Sequence, residues 1–392
     1  MAGCGGKLVE APTDKGPDPK PEDTADIIGP PMPYKGPRVI LVRFGGGVRR
    51  LETILEPEKT YCPFVYHELA KKKGVLFSNV TIDSTPSVDT SHGQGTLYLL
   101  TGKYDHYEDI THKPFADRFE AKIPTIFEYF RKAYDIPQHQ ALIINGEDRI
   151  NEEFYTFSNH HQYGVRYRST VLSLYRFKTY LLREQLNEDS LGDQERAEMT
   201  AKLHEMESKD YRVADTQVAG PELDRFWSNW KNYYGKTGFV NPRGDRVLTT
   251  LALRAIRELR PKLLMINYQD PDYVHWGNPT SYTRAVSIID EGVREIYEAV
   301  QADEEYRNNT VFLIVPDCGR DNNRFVSVPF QHHFNSKSAH EIFVVAAGPG
   351  IAHPGVNIDK PRQQISVATT VGRIMGFPTK HVDAGVLEEM LA

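Results

Sequence analysis

Three cysteines in 392 residues leave this chain almost no covalent cross-linking. Cys4, Cys62 and Cys318 cannot build a disulfide framework, so each has to be read by itself. No apolar run approaches the roughly 20 residues that a membrane-spanning helix needs. Neither sign of charge prevails: 47 Lys and Arg stand against 53 Asp and Glu, a net charge of −6 with no strongly basic half. That balance argues against a nucleic-acid binder, which needs a basic surface. Three catalytic signatures are missing as well. Gly45-Gly46-Gly47 follows a first apolar run, but the third glycine of a dinucleotide fingerprint would fall on Arg50. No Gly-x-x-x-x-Gly-Lys-Ser/Thr and no Gly-x-Ser-x-Gly occurs, which speaks against a phosphate-loop ATPase and a serine esterase. What is present is an ordinary globular composition, 40% hydrophobic and 26% charged, with length enough to bury a substantial core.

The ends and the middle divide the chain. Residues 1–37 are rich in proline, with Pro12, Pro17, Pro19, Pro21, Pro30, Pro31, Pro33 and Pro37 among Asp, Lys and Gly, and are expected to be an extended tether. Met1-Ala2-Gly3-Cys4 resembles the end of a bacterial lipoprotein signal. Cys4 is then either a lipid attachment point, which would tether the protein to a membrane of the cell envelope or periplasm, or a free thiol on a tail. Short apolar, β-branched runs occur at 39–42, 75–82, 141–144, 263–267, 311–315 and 342–346. Helical patterns lie between them, at about 64–73, 123–134, 246–259, 280–302 and 366–375. Strands alternating with helices predict an α/β fold, a three-layer α/β/α core over 38–150 and 246–392. Residues 151–245 break the rhythm and are expected to be a helical insertion capping the site, with Trp227 and Trp230 packing its small core or offering faces to a sugar.

Ligands of parallel sheets sit beyond the carboxyl ends of the strands. Three clusters of metal-ligand residue types lie beside such strands: Asp270-Pro271-Asp272-Tyr273-Val274-His275-Trp276-Gly277, Pro316-Asp317-Cys318-Gly319-Arg320-Asp321, and Ser338-Ala339-His340-Glu341. One such cluster alone most often caps a helix or closes a turn. Three along one sheet edge point to a metal site.

These segments resemble the alkaline phosphatase superfamily, which includes sulfatases, nucleotide pyrophosphatase/phosphodiesterases and cofactor-independent phosphoglycerate mutases. Asp270 to Gly277 is similar to its Pro-Asp-x-x-x-His-x-Gly segment, and 312–319 to its strand ending in Ser-Asp-His-Gly. Residues 339–350 resemble the segment of the third ligand, and Thr96 to Tyr104 the end of the nucleophile helix. The resemblance covers 38–150 and 246–376 in the right order. It implies a divalent metal site, zinc first with Ca, Mn or Mg as alternatives, that activates a nucleophile against a phosphate or sulfate ester.

Carried over residue by residue, one metal site maps onto Asp272, His275 and His340, although two residues rather than three separate Asp272 from His275; Asp270 is a second candidate for that carboxylate. The other site departs further. Gly46 occupies an aspartate position, Asp317-Cys318 replaces an Asp-His pair, and the nucleophile position falls on His92, after Thr90 and Ser91. The Pro and Arg that sulfatases carry after their nucleophile are missing. The second site is therefore either decayed or rebuilt, the latter as a set of Cys318, Asp317 and His92 with a position open to water. Ser91 or Thr90 serves as nucleophile if the register shifts by one. Arg49, Arg320 and Arg324 suit bidentate binding of the ester's anion. His332-His333 reads as a solvated pair or as metal or substrate contacts, Asn159 to Gly164 as substrate contacts or a capping turn, and Cys62 as a small buried residue. The expected activity is metal-dependent hydrolysis of a small-molecule or sugar phosphate or sulfate ester outside the cytoplasm. The competing expectation is an envelope-anchored binding or assembly protein with a vestigial site.

Overall fold

Every residue of the first strand, β1 (Arg38–Phe44), is buried, as a central parallel strand covered on both faces must be. The computed structural model describes residues 33–105, 121–145, 155–188, 190–208, 220–235, 244–275, 278–321, 331–332, 336–352 and 354–392. The further strands are β2 (Gly74–Thr81), β3 (Ala141–Asn145), β4 (Thr170–Leu172), β5 (Leu263–Asn267), β6 (Thr310–Pro316), β7 (Glu341–Ala347), β8 (Asn357–Ile358) and β9 (Arg362–Gln363). Together they form one nine-stranded sheet in the order β4-β3-β5-β1-β6-β7-β2-β8, with β9 also on β2. β4, β3, β5, β1 and β6 run parallel, and β7 is antiparallel to both β6 and β2.

Period-two alternation divides the core. Ile40, Val42 and Phe44 of β1 face one apolar cluster, and Val39 and Leu41 face another. Leu142 and Ile144 of β3 and Leu264 and Ile266 of β5 join the first; their sequence neighbours join the second. In chain order the α-helices are α1 (His92–Thr101), α2 (Ile126–Tyr134), α3 (Leu174–Leu186), α4 (Asp193–Ser208), α5 (Pro221–Tyr234), α6 (Asp245–Leu259), α7 (Pro279–Ala302), α8 (Glu304–Arg307), α9 (Lys337–His340) and α10 (Ser366–Met375). α6, α7 and a wide π-helical segment, Phe64–Lys73, cover the first face; α1, α2 and α10 cover the second. The expected three-layer α/β/α architecture is the one observed.

Two boundaries differ from the sequence reading. The insertion contributes β4, which pairs with β3 from Leu142↔Thr170 to Ile144↔Leu172; a three-residue strand is too short to leave a periodic trace. Trp227 and Trp230 belong to the main apolar cluster rather than to a separate small core, so α3 and α5 are continuous with the sheet. At the other end, Tyr34 packs edge-on against Phe130 and Tyr134 at 4.9 Å, so the last residues of the expected tether dock on α2. Cys4 and residues 1–32 lie outside the described residues. Among the described residues no helix is long and apolar enough to cross a membrane.

Candidate functional site

The carboxyl ends of β1, β5 and β6 and the N-terminus of α1 meet at one place. β1 ends in Gly45-Gly46-Gly47. Gly46 has φ +91°, and a Cβ there would stand 2.5 Å from the backbone nitrogen of Asp272. Only glycine fits such a position. On the opposite side α1 lies directly on the end of β6: a Cβ at Gly95 would come within 2.2 Å of the Asp317 carbonyl oxygen. Ser91 caps α1, its hydroxyl accepting from the Gln94 nitrogen at 3.4 Å. His92 is thereby placed as the first residue of the helix, over the loops that follow β5 and β6.

Asp272 and Asp317 flank its imidazole. Nδ1 of His92 is hydrogen-bonded to Oδ2 of Asp317, and Nε2 lies 2.8 Å from Oδ1 of Asp272. The same Asp272 oxygen receives Nε2 of His275 at 2.6 Å and Nε2 of His332 at 3.3 Å. His332 is held from behind, Nδ1 lying 2.8 Å from the carbonyl oxygen of Thr90. Three imidazoles thus converge on one carboxylate oxygen.

The electrostatics follow from burial opposed by these partners. Desolvation works against ionised Asp272, but His92, His275 and His332 outweigh it and hold the carboxyl far below the usual range. Desolvation also works against charging His92, yet Asp272 and Asp317 raise it to about 10. Buried Asp317 is pulled down to about 2 by His92 and Arg43 against the same penalty. Arg43, itself fully buried, places Nη1 3.6 Å from Oδ2 of Asp317 and 2.6 Å from the Thr96 hydroxyl.

The donor set fits a divalent metal ion. One donor atom each from His92, Asp272 and His332 lies within 4.8 Å of the others. Two imidazoles and a carboxylate are a ligand set suited to zinc and neighbouring divalent ions. His275 stands beside it as a further donor.

Other residues singled out in the sequence are placed differently. Asp317 lies behind His92, not among the converging donors. Cys318 is fully buried in the apolar cluster beneath α1, and burial with Asp317 alongside raises its thiol well above the ordinary value. His340 is buried at the end of α9, outside the donor group. Asp270 faces α6, its carboxylate accepting from the Asp245 nitrogen at 3.2 Å, while Asp245 accepts from the nitrogens of Gln269 and Asp270. Thr90 donates its hydroxyl to the His332 carbonyl. Arg320 is fully buried and donates from Nε and Nη2 to the carbonyls of Gly46, Gly47 and Pro271, stapling the loops together. Arg49 pairs with Glu52 at the edge of a recess of about 110 Å³. The 159–164 segment is clipped to buried Glu128, which accepts from the Ser158 nitrogen and hydroxyl and the Gly164 nitrogen, so it forms a capping turn. Arg324, His333, Trp276 and Gly277 lie outside the described residues.

Of two further participants, the sequence leaves one open and gives no reading of the other. His332, read as solvated or as a metal or substrate contact, is 1% exposed. Arg43 follows the apolar run 39–42, and an arginine inside a central strand is itself a signal that a buried anion waits for it.

No family model matches the chain, and no curated protein matches it in sequence. Solved structures do. A Bacteroides thetaiotaomicron VPI-5482 protein classed provisionally as a sulfatase matches with a TM-score of 0.56 at 11% identity, covering 91% of this chain and 75% of that one. The lipoteichoic acid synthase LtaP from Listeria monocytogenes gives 0.51 at 12%, covering 90% and 75%. The PsFucS1 sulfatase from Pseudoalteromonas sp. gives 0.50 at 12%, covering 91% and 72%. At such identities the likeness is one of fold.

Proposed function

On the fold it shares with the alkaline phosphatase and sulfatase superfamily, we propose that this chain is a metal-dependent hydrolase of phosphate or sulfate esters. The observation that carries the reading is the convergence of His92, Asp272 and His332, brought from α1 and two separate loops to one point beyond the carboxyl ends of the strands. A divalent ion held there, zinc in the first instance and otherwise Ca, Mn or Mg, supplies Lewis-acid polarisation of the ester. His92, Asp272 and His332 hold the ion, with His275 at its side. Asp317 keeps the Nδ1 proton of His92 in place, so that Nε2 faces the ion. Arg49, paired with Glu52 in this structure, is the guanidinium that would meet the ester's anion if Glu52 yields it. The substrate class is a small-molecule or sugar ester, met outside the cytoplasm; nucleic acid is not expected.

One observation favours the second reading, an envelope-anchored binding or assembly protein. Both hydroxyls nearest the nucleophile position are engaged, Ser91 as the cap of α1 and Thr90 on the His332 carbonyl. Turnover of p-nitrophenyl phosphate, bis(p-nitrophenyl) phosphate and p-nitrophenyl sulfate, with and without a chelator, separates the two. Chelator-sensitive hydrolysis of at least one is expected. Its absence on all three leaves the binding reading standing.

A further inference from the structure

The carboxylate of Asp317 has no room left for a metal. Its Oδ1 accepts from the backbone nitrogens of Cys318 at 2.8 Å and Gly47 at 3.3 Å. Its Oδ2 is shared by Nδ1 of His92 and by Nη1 of Arg43 at 3.6 Å. Both Asp317 and Arg43 are fully buried, and the guanidinium is fixed in turn by the Thr96 hydroxyl and, at 3.3 Å, by the Tyr268 carbonyl. Gly46, at the end of β1 beside this place, cannot carry a side chain against the Asp272 backbone. Positive charge is already built into this side of the site.

We propose that Arg43 stands toward Asp317 in the place of a second cation: the centre takes one divalent ion, and Asp317 acts on that ion through His92 rather than by ligating it. The inference rests on the metal-centre reading above. Arg43 and Asp317 are then positioning residues. The guanidinium keeps Asp317 ionised in a sealed environment, and ionised Asp317 orients the imidazole and raises its basicity as a ligand. Partners of this kind behind a ligating histidine typically govern 10–100-fold in metal affinity.

The test uses the full chain, stripped with chelator and titrated with Zn²⁺ while metal per chain is counted. One tight ion per wild-type chain is expected. Arg43→Met and Asp317→Asn should each still take one ion, bound roughly 10–100-fold more weakly. Arg43→Lys, which keeps the charge, should recover most of the affinity. In the metal-free protein both weakening variants should also lose the downfield Nδ1–H proton resonance of His92, a change that a general loosening of the fold would not confine to one imidazole. Thermal melts establish which variants fold; if Arg43→Met does not, Arg43→Lys, Asp317→Asn and the wild-type count decide. Two tight ions per wild-type chain, or Arg43→Met binding zinc as the wild type does, overturns the inference and leaves the metal centre intact. No bound ion at all overturns the metal centre, and this inference with it.

Discussion

His92 stands between two aspartates that the chain uses in opposite ways. Asp272 keeps a side-chain exposure of 19% and gathers three imidazoles on one oxygen. Asp317 has an exposure of 0% and spends its oxygens on two backbone amides, a histidine and an arginine. Both carboxyls are held below their ordinary value against burial, so ionisation alone does not tell them apart. The difference lies in the partners. Histidine nitrogens can hand their lone pairs to a metal, whereas amides and a guanidinium can only donate protons. The first aspartate suits the ligand role proposed for it; the second is part of the scaffold.

The comparison breaks most sharply at the open side. Asp272→Asn and His332→Ala should each drop metal per chain from one to near zero and take chelator-sensitive turnover to background, measured by metal analysis and p-nitrophenyl ester hydrolysis. Retention of a full equivalent by His332→Ala would move the centre toward His275 and His340.

On the sealed side stability changes along with metal affinity. The Asp317 carboxyl titrates at about 2 in the folded chain against an ordinary 3.8. Its contribution, about 2 kcal/mol, is therefore present above pH 4 and lost as pH falls toward 2. His92 has the opposite sign: raised to about 10 from 6.5, it stabilises the metal-free protein below pH 6.5 and ceases to do so as pH rises toward 10. Urea unfolding of the stripped protein across these two ranges checks both slopes, and Asp317→Asn should flatten the acid one.

Gly46→Ala addresses the turn between the two sides. With φ +91° and the Asp272 nitrogen at 2.5 Å from the new Cβ, it should destabilise the chain by about 1–3 kcal/mol and weaken zinc by displacing Asp272. The smallest effect on metal is expected at Cys318→Ala. A buried thiol lost from the apolar cluster should lower the melting temperature while leaving zinc affinity unchanged. A fall in zinc affinity would return Cys318 to the ligands.

Much of this molecule was legible in its sequence because the signals are local. Apolar runs such as 39–42 and 263–267 mark buried strands, and the Asp, His and Cys clusters after them mark a sheet edge where chemistry gathers. β4 is not legible because three residues carry no period, and the separate core expected for Trp227 and Trp230 fails because sequence distance does not measure distance in space. Within the site, residue types were legible and their directions were not. Asp317, Cys318 and Arg320 follow one another closely, yet one backs His92, one sinks into the core and one turns beneath the glycine loop.

The sequence by itself determined the layered α/β fold, the sheet edge that carries the polar clusters and a glycine rather than a carboxylate at position 46. Tertiary structure alone decided which of two aspartates faces solvent and which is closed off, and that His332 turns inward to join His92. Those outcomes depend on where side chains from β1, α1 and three separate loops meet. Partner identity and desolvation at that meeting point, not residue type, determine whether a carboxylate binds a ligand or holds the fold together.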